Sequence, residues 1–236
     1  MKLDVDLFTV SEASIQRCIT LELIDCGGST QTVSAPVTFT AGSVTDVHVT
    51  IPCGDYTCTR ARDPLHTLQR RLDRDAGLEI SGEDYVASVT GPGSALVGGD
   101  FNDDNFVDIL DFAIYINRFG LNYGTRDTGC TAPNYNADAS GDGLVATEDF
   151  SFVLTGFLTS GDDTCCSAKP PRGNPRSSIA LTELRQLRLG ALAPADLTRD
   201  GVIDQADIAA YLLGQLPDGA PVRIAPTGAA GVSEGP

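Results

Sequence analysis

The sequence predicts an α+β protein in which an N-terminal antiparallel β-sandwich is followed by all-α loop–helix repeats. Over residues 1–99, apolar and polar residues alternate in short runs, the period of strands with one buried face. From residue 100 onward, three twelve-residue stretches of alternating acidic and small polar residues each lead into an apolar stripe at helical spacing.

The strands come first. Val5 and Leu7, Ile19–Leu23, Val37–Thr40 and Val44–Ile51 alternate, and Tyr56–Arg62, Glu79–Ile80 and Tyr85–Thr90 extend the pattern. Cys26-Gly27-Gly28-Ser29 and Ala41-Gly42-Ser43 interrupt it with turn-forming residues. Six to eight short strands in this first segment are enough for two small packed sheets. Gly91-Pro92-Gly93 and Gly98-Gly99 mark its end, which defines a β-sandwich-like domain at 1–99.

The acidic stretches are Asp100–Asp111 (DFNDDNFVDILD), Asp138–Asp149 (DASGDGLVATED) and Asp196–Asp207 (DLTRDGVIDQAD). Each places Asp at positions 1, 5 and 12 and an apolar residue at 8, namely Val107, Val145 or Ile203. Oxygen ligands at positions 1, 3, 5, 7, 9 and 12 can wrap one Ca²⁺ ion, which takes six to eight oxygens. In the first loop Asp100, Asn102, Asp104 and Asp108 offer side-chain oxygens, Phe106 a backbone carbonyl, and Asp111 closes the ring. The second offers Asp138, Ser140, Asp142, the Leu144 carbonyl and Asp149, with Ala146 leaving position 9 to water. The third offers Asp196, Thr198, Asp200, the Val202 carbonyl, Asp204 and Asp207.

Hard oxygen donors of this kind suit Ca²⁺ better than Zn²⁺ or Cu²⁺. Position 6 needs a sharp turn. Gly143 and Gly201 supply it, and Asn105 stands there in the first loop, tolerating the left-handed region better than most residues. Four carboxylates in each of the first and third loops, against three in the second, predict weakest binding at the second. The competing reading is an Asp/Gly-rich turn capping a helix.

The helices follow from spacing. Phe112, Tyr115, Ile116 and Phe119 form one stripe, and Phe150, Val153, Leu154 and Phe157 repeat it in the same register after the second loop. Residues 100–158 therefore read as one paired unit whose helices pack together, joined by the connection Leu121–Ala137. Residues 159–177 read as a linker. A Leu-rich helix (Leu181, Leu184, Leu187, Leu189) then precedes the third loop, and Ile208, Tyr211 and Leu212 line the helix after it. This helix–loop–helix at 178–216 reads as a separate unit, and 217–236, rich in Gly, Ala and Pro, as a disordered tail.

A hydrophobic content of 42% is that of a folding chain, and a net charge of −16 argues against nucleic acid or membrane as partner. Residues 100–158 hold nine Asp and one Glu against two Arg, a net of −8, so half the excess charge lies in a quarter of the chain. Such crowding favours a cation-binding region. No stretch has the length and hydropathy of a transmembrane helix.

Seven cysteines suit an oxidising, exported setting, secreted or at the cell surface. Cys53 and Cys58 are close enough to pair across a turn, Cys18 and Cys26 could bridge another, and Cys130, Cys165 and Cys166 surround the second acidic loop. The odd count leaves one thiol over. Met1-Lys2-Leu3-Asp4 runs into alternating sequence without an apolar leader, whereas the cysteines point to export, so the expectation is a fragment or a mis-assigned start.

Catalytic constellations are missing from the pattern. His48 and His66 are the only histidines, there is no G-x-S-x-G, and the glycines at 91, 93, 98 and 99 miss the phosphate-binding spacing. The regularly spaced carboxylates belong to the loops, and Trp is absent, which leaves carbohydrate binding unsupported. Arg60, Arg62, Arg70, Arg71 and Arg74 cluster around Asp63-Pro64-Leu65-His66. A solvated strand edge is favoured there over a dock for the acidic loops or for an anionic glycan.

The two segments DFNDDNFVDILDF and DASGDGLVATEDF, each followed by a helix, resemble type I dockerin repeats and, more broadly, dockerin-like EF-hand modules. Linked repeats on a Cys-containing β-domain also resemble multi-repeat exported proteins of planctomycete-type bacteria. The resemblance implies Ca²⁺-dependent folding and docking, in cellulosomes onto a cohesin. Dockerins of that kind carry small hydroxyl-type residues at loop positions 10 and 11, where this chain has Ile109-Leu110, Thr147-Glu148 and Gln205-Ala206. The expected function is a non-catalytic exported calcium-binding module for protein–protein or surface attachment. The alternatives are an accessory part of a polysaccharide-degrading glycoside hydrolase system and a purely structural, Ca²⁺-stabilised surface protein. A calmodulin-like sensor does not fit, because a single Met cannot line a Met-rich groove.

Overall fold

The computed structural model describes residues 1–7, 10, 14–25, 27, 29–74, 77–81, 84–91, 93–124, 130, 137–162, 165 and 173–217. The anticipated tail lies almost wholly outside the described residues, as do much of the 121–137 connection and of the 159–177 linker.

The N-terminal part is a sandwich of two four-stranded sheets. One has the order β4-β1-β8-β7, built from β1 (Lys2–Asp6), β4 (Ser43–His48), β7 (Leu78–Ser81) and β8 (Asp84–Val89). The other has the order β3-β2-β5-β6, from β2 (Ile15–Asp25), β3 (Ser29–Phe39), β5 (Cys58–Arg62) and β6 (Arg70–Asp73). β2 and β3 pair without slippage from Ile15↔Phe39 to Asp25↔Ser29. That register sends Ile15, Ile19, Leu21, Leu23, Val37 and Phe39 inward against Leu3, Val5, Ala87 and Val89.

Two strand details depart from the sequence reading. β1 and β8 run parallel, from Lys2↔Val86 to Val5↔Val89, within an otherwise antiparallel sandwich. Alternation reveals a strand's faces and not its direction. β6 lies inside the arginine cluster, where Leu72 is its one buried residue. A short charged strand at a sheet edge blunts edge-to-edge pairing.

The helical part contains α1 (Ile109–Arg118), α2 (Thr147–Gly156), α3 (Leu181–Gln186), a 3₁₀ turn (Gly190–Ala195) and α4 (Gln205–Leu212). Short strands β9 (Phe106–Val107), β10 (Thr159–Ser160), β11 (Ile179–Ala180) and β12 (Val202–Ile203) accompany them. As the matched stripes require, α1 and α2 pack through Phe112, Tyr115 and Phe150, with centroids 5.9 Å (Phe112–Phe150) and 5.4 Å (Tyr115–Phe150) apart.

The third helix–loop–helix packs against the paired unit. Its 3₁₀ turn lies on α1, where the Asn117 side-chain amide donates to the Ala191 carbonyl at 2.8 Å. Tyr211 of α4 enters the α1/α2 cluster, 4.9 Å from Phe150 and 5.5 Å from Tyr115. α1 buries Ile109, Leu110, Phe112, Ala113, Tyr115 and Ile116, more surface than α2 alone can cover. Three expected core leucines fall outside: Leu154 (50%), Leu187 (45%) and Leu212 (60%) are exposed. On α2, Phe152 is buried instead, packing edge-on against His66 of the sandwich. A single stripe cannot reveal a helix gripped from two sides. Among the described residues, no helix is long and apolar enough to cross a membrane.

The cysteine pairings also differ from expectation. Cys18 is bonded to Cys130 and Cys58 to Cys165, while Cys53 is free and exposed. Both bonds tie the β3-β2-β5-β6 sheet to connections within the helical part, Cys130 lying between α1 and α2 and Cys165 between α2 and α3. Nearness in sequence misled here: Cys58 points into the molecule, whereas Cys53 lies in an exposed connection. Cys26 and Cys166 lie outside the described residues.

Candidate metal centres

All three acidic loops adopt one turn pattern. The carboxylate at position 1 accepts two backbone N–H groups: Asp100 from Asp104 (3.2 Å) and Asn105 (2.9 Å), Asp138 from Gly141 (2.8 Å) and Gly143 (3.0 Å), and Asp196 from Asp200 (3.1 Å) and Gly201 (3.0 Å). Position 5 accepts from position 7, as Asp104 from Phe106 (3.0 Å), Asp142 from Leu144 (2.8 Å) and Asp200 from Val202 (2.9 Å). These turns wind the backbone of each loop tightly around its position 1 carboxylate.

Position 12 closes each loop. One oxygen of Asp111, Asp149 or Asp207 accepts the position 9 amide, from Asp108 (2.8 Å), Ala146 (2.7 Å) or Asp204 (2.8 Å). The other reaches back to the loop's start, at Phe101 (2.7 Å), Ser140 (2.8 Å) or Thr198 (2.9 Å). Asp108 and Asp204 in turn cap their helices at Leu110 and Ala206, each at 2.7 Å. A carboxylate oxygen that accepts a single N–H keeps a second lone pair that an ion could use.

The backbone takes the left-handed region at position 6, with φ of 68° at Asn105, 92° at Gly143 and 91° at Gly201. It does so again at position 4, with φ of 60° at Asp103, 82° at Gly141 and 63° at Arg199. The position 4 requirement was missed in the sequence because three unlike residues meet it.

The first two loops are related by an approximate exchange. β9 of the first loop pairs with β10, just after α2, and the second loop pairs with the segment after α1, where Val145 donates to Leu121 (2.9 Å) and Tyr123 to Gly143 (2.6 Å). β12 of the third loop instead pairs with β11, just before its own α3.

Burial concentrates charge in these loops. Asp100, Asp108, Asp111, Asp138, Asp149 and Asp207 are all at most 2% exposed. Burial, and then the neighbouring Asp104 carboxylate, push Asp100 up to about 7. Burial and the Asp100 charge hold Asp111 well above the ordinary carboxylate range, and burial lifts Asp149 to about 6. Desolvated carboxylates around an all-oxygen centre fit Ca²⁺, which would stabilise their ionised form. Among the described residues, no three Cys, His, Asp or Glu side chains already converge tightly enough to hold an ion, so a cation would have to draw the carboxylates inward.

The raised carboxyls set a pH dependence. The folded, metal-free loops keep protons that the unfolded chain releases above its ordinary carboxylate range, so metal-free stability falls as pH rises from about 4 to about 7. In chelator, the melting temperature should therefore be higher at pH 5 than at pH 7.5. In Ca²⁺ the stabilisation over chelator should shrink as pH falls from about 7 to about 4, because protons compete with the ion. A chelator series that rises with pH would contradict this reading of the loops.

The sandwich grips both loops of the paired unit. Buried Arg17, 3.6 Å from Asp63, donates to the Ala139 carbonyl in the second loop at 2.8 Å. A side chain at Gly141 would meet Ile15 Cδ1 at 2.0 Å, so glycine permits that approach. Arg62 pairs with Asp103 of the first loop, and Arg70 with Asp162 just beyond β10, at 3.8 Å. Part of the arginine cluster thus docks on acidic residues and is not a merely solvated edge. Arg74 pairs with Asp55 at 2.9 Å, and Arg71 with Asp73 at 3.5 Å.

Comparison with known proteins matches residues 98–156 to the dockerin type I domain, and this part of the chain is a dockerin module. Dockerins are non-catalytic, bind cohesin partners and typically depend on Ca²⁺. No curated protein matches the chain. Among solved structures it is similar to an N-terminal interface mutant of a type II cohesin–X-dockerin complex from Acetivibrio cellulolyticus. The identity is 14%, over 68% of this chain and 97% of that one, with a TM-score of 0.32, a level that carries nothing about fold or partner.

Proposed function

We propose that the chain is a non-catalytic, exported calcium-binding module that attaches to a partner protein in a Ca²⁺-dependent way. The observation that carries this is the recurrence of one carboxylate-centred turn pattern in three loops, two of them inside the dockerin match. The ligands would be Asp100, Asn102, Asp104, Phe106, Asp108 and Asp111; Asp138, Ser140, Asp142, Leu144 and Asp149; and Asp196, Thr198, Asp200, Val202, Asp204 and Asp207. The second loop, with three carboxylates, fills last. The proposed division is a sandwich domain at 1–99, paired repeats at 100–158 and a third helix–loop–helix at 178–216. Two inter-segment disulfides support an oxidising, extracellular location.

The partner would be a cohesin-like protein, docking on α2. The third unit covers α1, but Thr147, Glu148, Ser151, Leu154 and Thr155 form an exposed stripe along α2. Binding to immobilised cohesins in Ca²⁺, with release by chelator, tests this. Leu154→Asp should lower cohesin affinity at least tenfold while leaving the melting temperature unchanged, since Leu154 is half exposed. Ca²⁺ uptake without capture by any cohesin would instead favour the purely structural reading.

A further inference from the structure

Loop 1 departs from the usual turn glycine at Asn105, and the Asn105 amide has partners outside the loop. Its Oδ1 accepts the Gln69 backbone N–H at 2.9 Å, just before β6, and its Nδ2 donates to the Asp162 carbonyl at 3.4 Å. The same two segments bond to each other and to the loop backbone: Asp162 N–H donates to Gln69 O at 2.8 Å, and Gly161 N–H to Asn105 O at 3.0 Å. The Asp162 carboxylate accepts the Arg71 N–H at 2.9 Å. Three residues on, Cys165 is bonded to Cys58 of β5. Loop 1, the sandwich and the segment after α2 therefore meet at this one amide. Gly161 leaves the room it needs, since a Cβ there would stand 1.9 Å from Asn105 Oδ1.

We propose that Asn105 is a positioning residue that latches calcium loop 1 to the sandwich, so that filling the loop and closing the Gln69–Asn105–Asp162 junction are coupled. This rests on the calcium reading above. The left-handed φ of 68° explains only why position 6 is not an ordinary residue; glycine would meet that need better. Asn adds a side chain that reports the loop's shape to β6. Because coupling is reciprocal, an ion that orders the loop also protects the junction, and a junction already closed raises affinity for the ion.

The test compares the full-length oxidised chain with Asn105→Gly and Gly161→Ala. The first keeps every loop ligand and relieves the backbone; the second displaces the same amide from the opposite side and also keeps every loop ligand. Ca²⁺ is titrated with the Asp104 and Phe106 amides as NMR reporters of loop 1, and hydrogen exchange at Gln69 is followed in Ca²⁺ and in EDTA. The expected result is about a fivefold loss of loop 1 affinity in either variant, the worth of roughly one hydrogen bond. Gln69 protection should rise with Ca²⁺ in the unaltered chain and become indifferent to Ca²⁺ in both variants. Equal or tighter binding in Asn105→Gly, with Gln69 protection unchanged, would overturn the latch while leaving calcium binding intact. Absence of Ca²⁺ uptake by the unaltered chain would overturn both.

Discussion

Tyr211→Ala should destabilise the protein by about 3–5 kcal/mol, the range for removing a large buried aromatic side chain. The ring lies 4.9 Å from Phe150, 5.5 Å from Tyr115, 6.0 Å from Phe119 and 6.4 Å from Phe112, mostly edge-on. Such pairs add roughly 0.5–1.5 kcal/mol beyond the area they bury. Tyr115 donates its hydroxyl proton to the Ala146 carbonyl at 2.9 Å, so the Tyr211 hydroxyl donates to Tyr115. Alanine would open a cavity between the dockerin helices and the third unit. Tyr211→Phe keeps the rings and should cost only about 1 kcal/mol for the lost hydrogen bond. Urea denaturation measures both. A Tyr211→Ala loss within about 1 kcal/mol would mean that the third unit contributes nothing to the shared core.

Removing either cross-link should rival that effect. The bonds Cys18–Cys130 and Cys58–Cys165 span 112 and 107 residues. Loops of that size restrict the unfolded chain by about 4–5 kcal/mol each on the chain-entropy account. The paired variants Cys18→Ser with Cys130→Ser, and Cys58→Ser with Cys165→Ser, should each lose about 4 kcal/mol in equilibrium denaturation. Their losses should not add, because both bonds hold the same sheet to the helical part. Losses below about 1 kcal/mol would show that the two parts are not separated on unfolding in the way this picture requires.

What could be read in the sequence was local. Positions 1, 5, 8 and 12 of the acidic loops repeat within twelve residues, so the loops, their helix starts and the left-handed position at Asn105 follow from short-range geometry. Strand alternation located most of the sandwich for the same reason. Apart from the left-handed position 4 of the loops, hidden because three unlike residues fill it, the larger misses concern partners distant in the chain. Tyr211 reaches Tyr115 across 96 residues, and Arg17 reaches Ala139 across 122. A hydrophobic stripe records that a face is buried but not by what, so Leu154 appeared apolar enough for the core and Phe152 was passed over. Arg62 read as a solvated charge because its partner, Asp103, lies in a different unit. β6 was hidden because an edge strand needs only one buried side chain, Leu72.

The sandwich, the dockerin module and the third unit share one continuous core, from Leu3 and Leu21 through Leu68 and Phe101 to Phe112, Val153 and Tyr211. Calcium in any loop would then act on the stability of the whole and not on one helix alone. The most direct measurement of the central claim is native mass spectrometry of the oxidised full chain, stripped of metal and titrated with CaCl₂. The account predicts stepwise uptake of three Ca²⁺ ions, one fewer in each of Asp100→Ala, Asp138→Ala and Asp196→Ala, with the Asp138 loop filling last. No specific uptake, or three ions still bound in those variants, would contradict it.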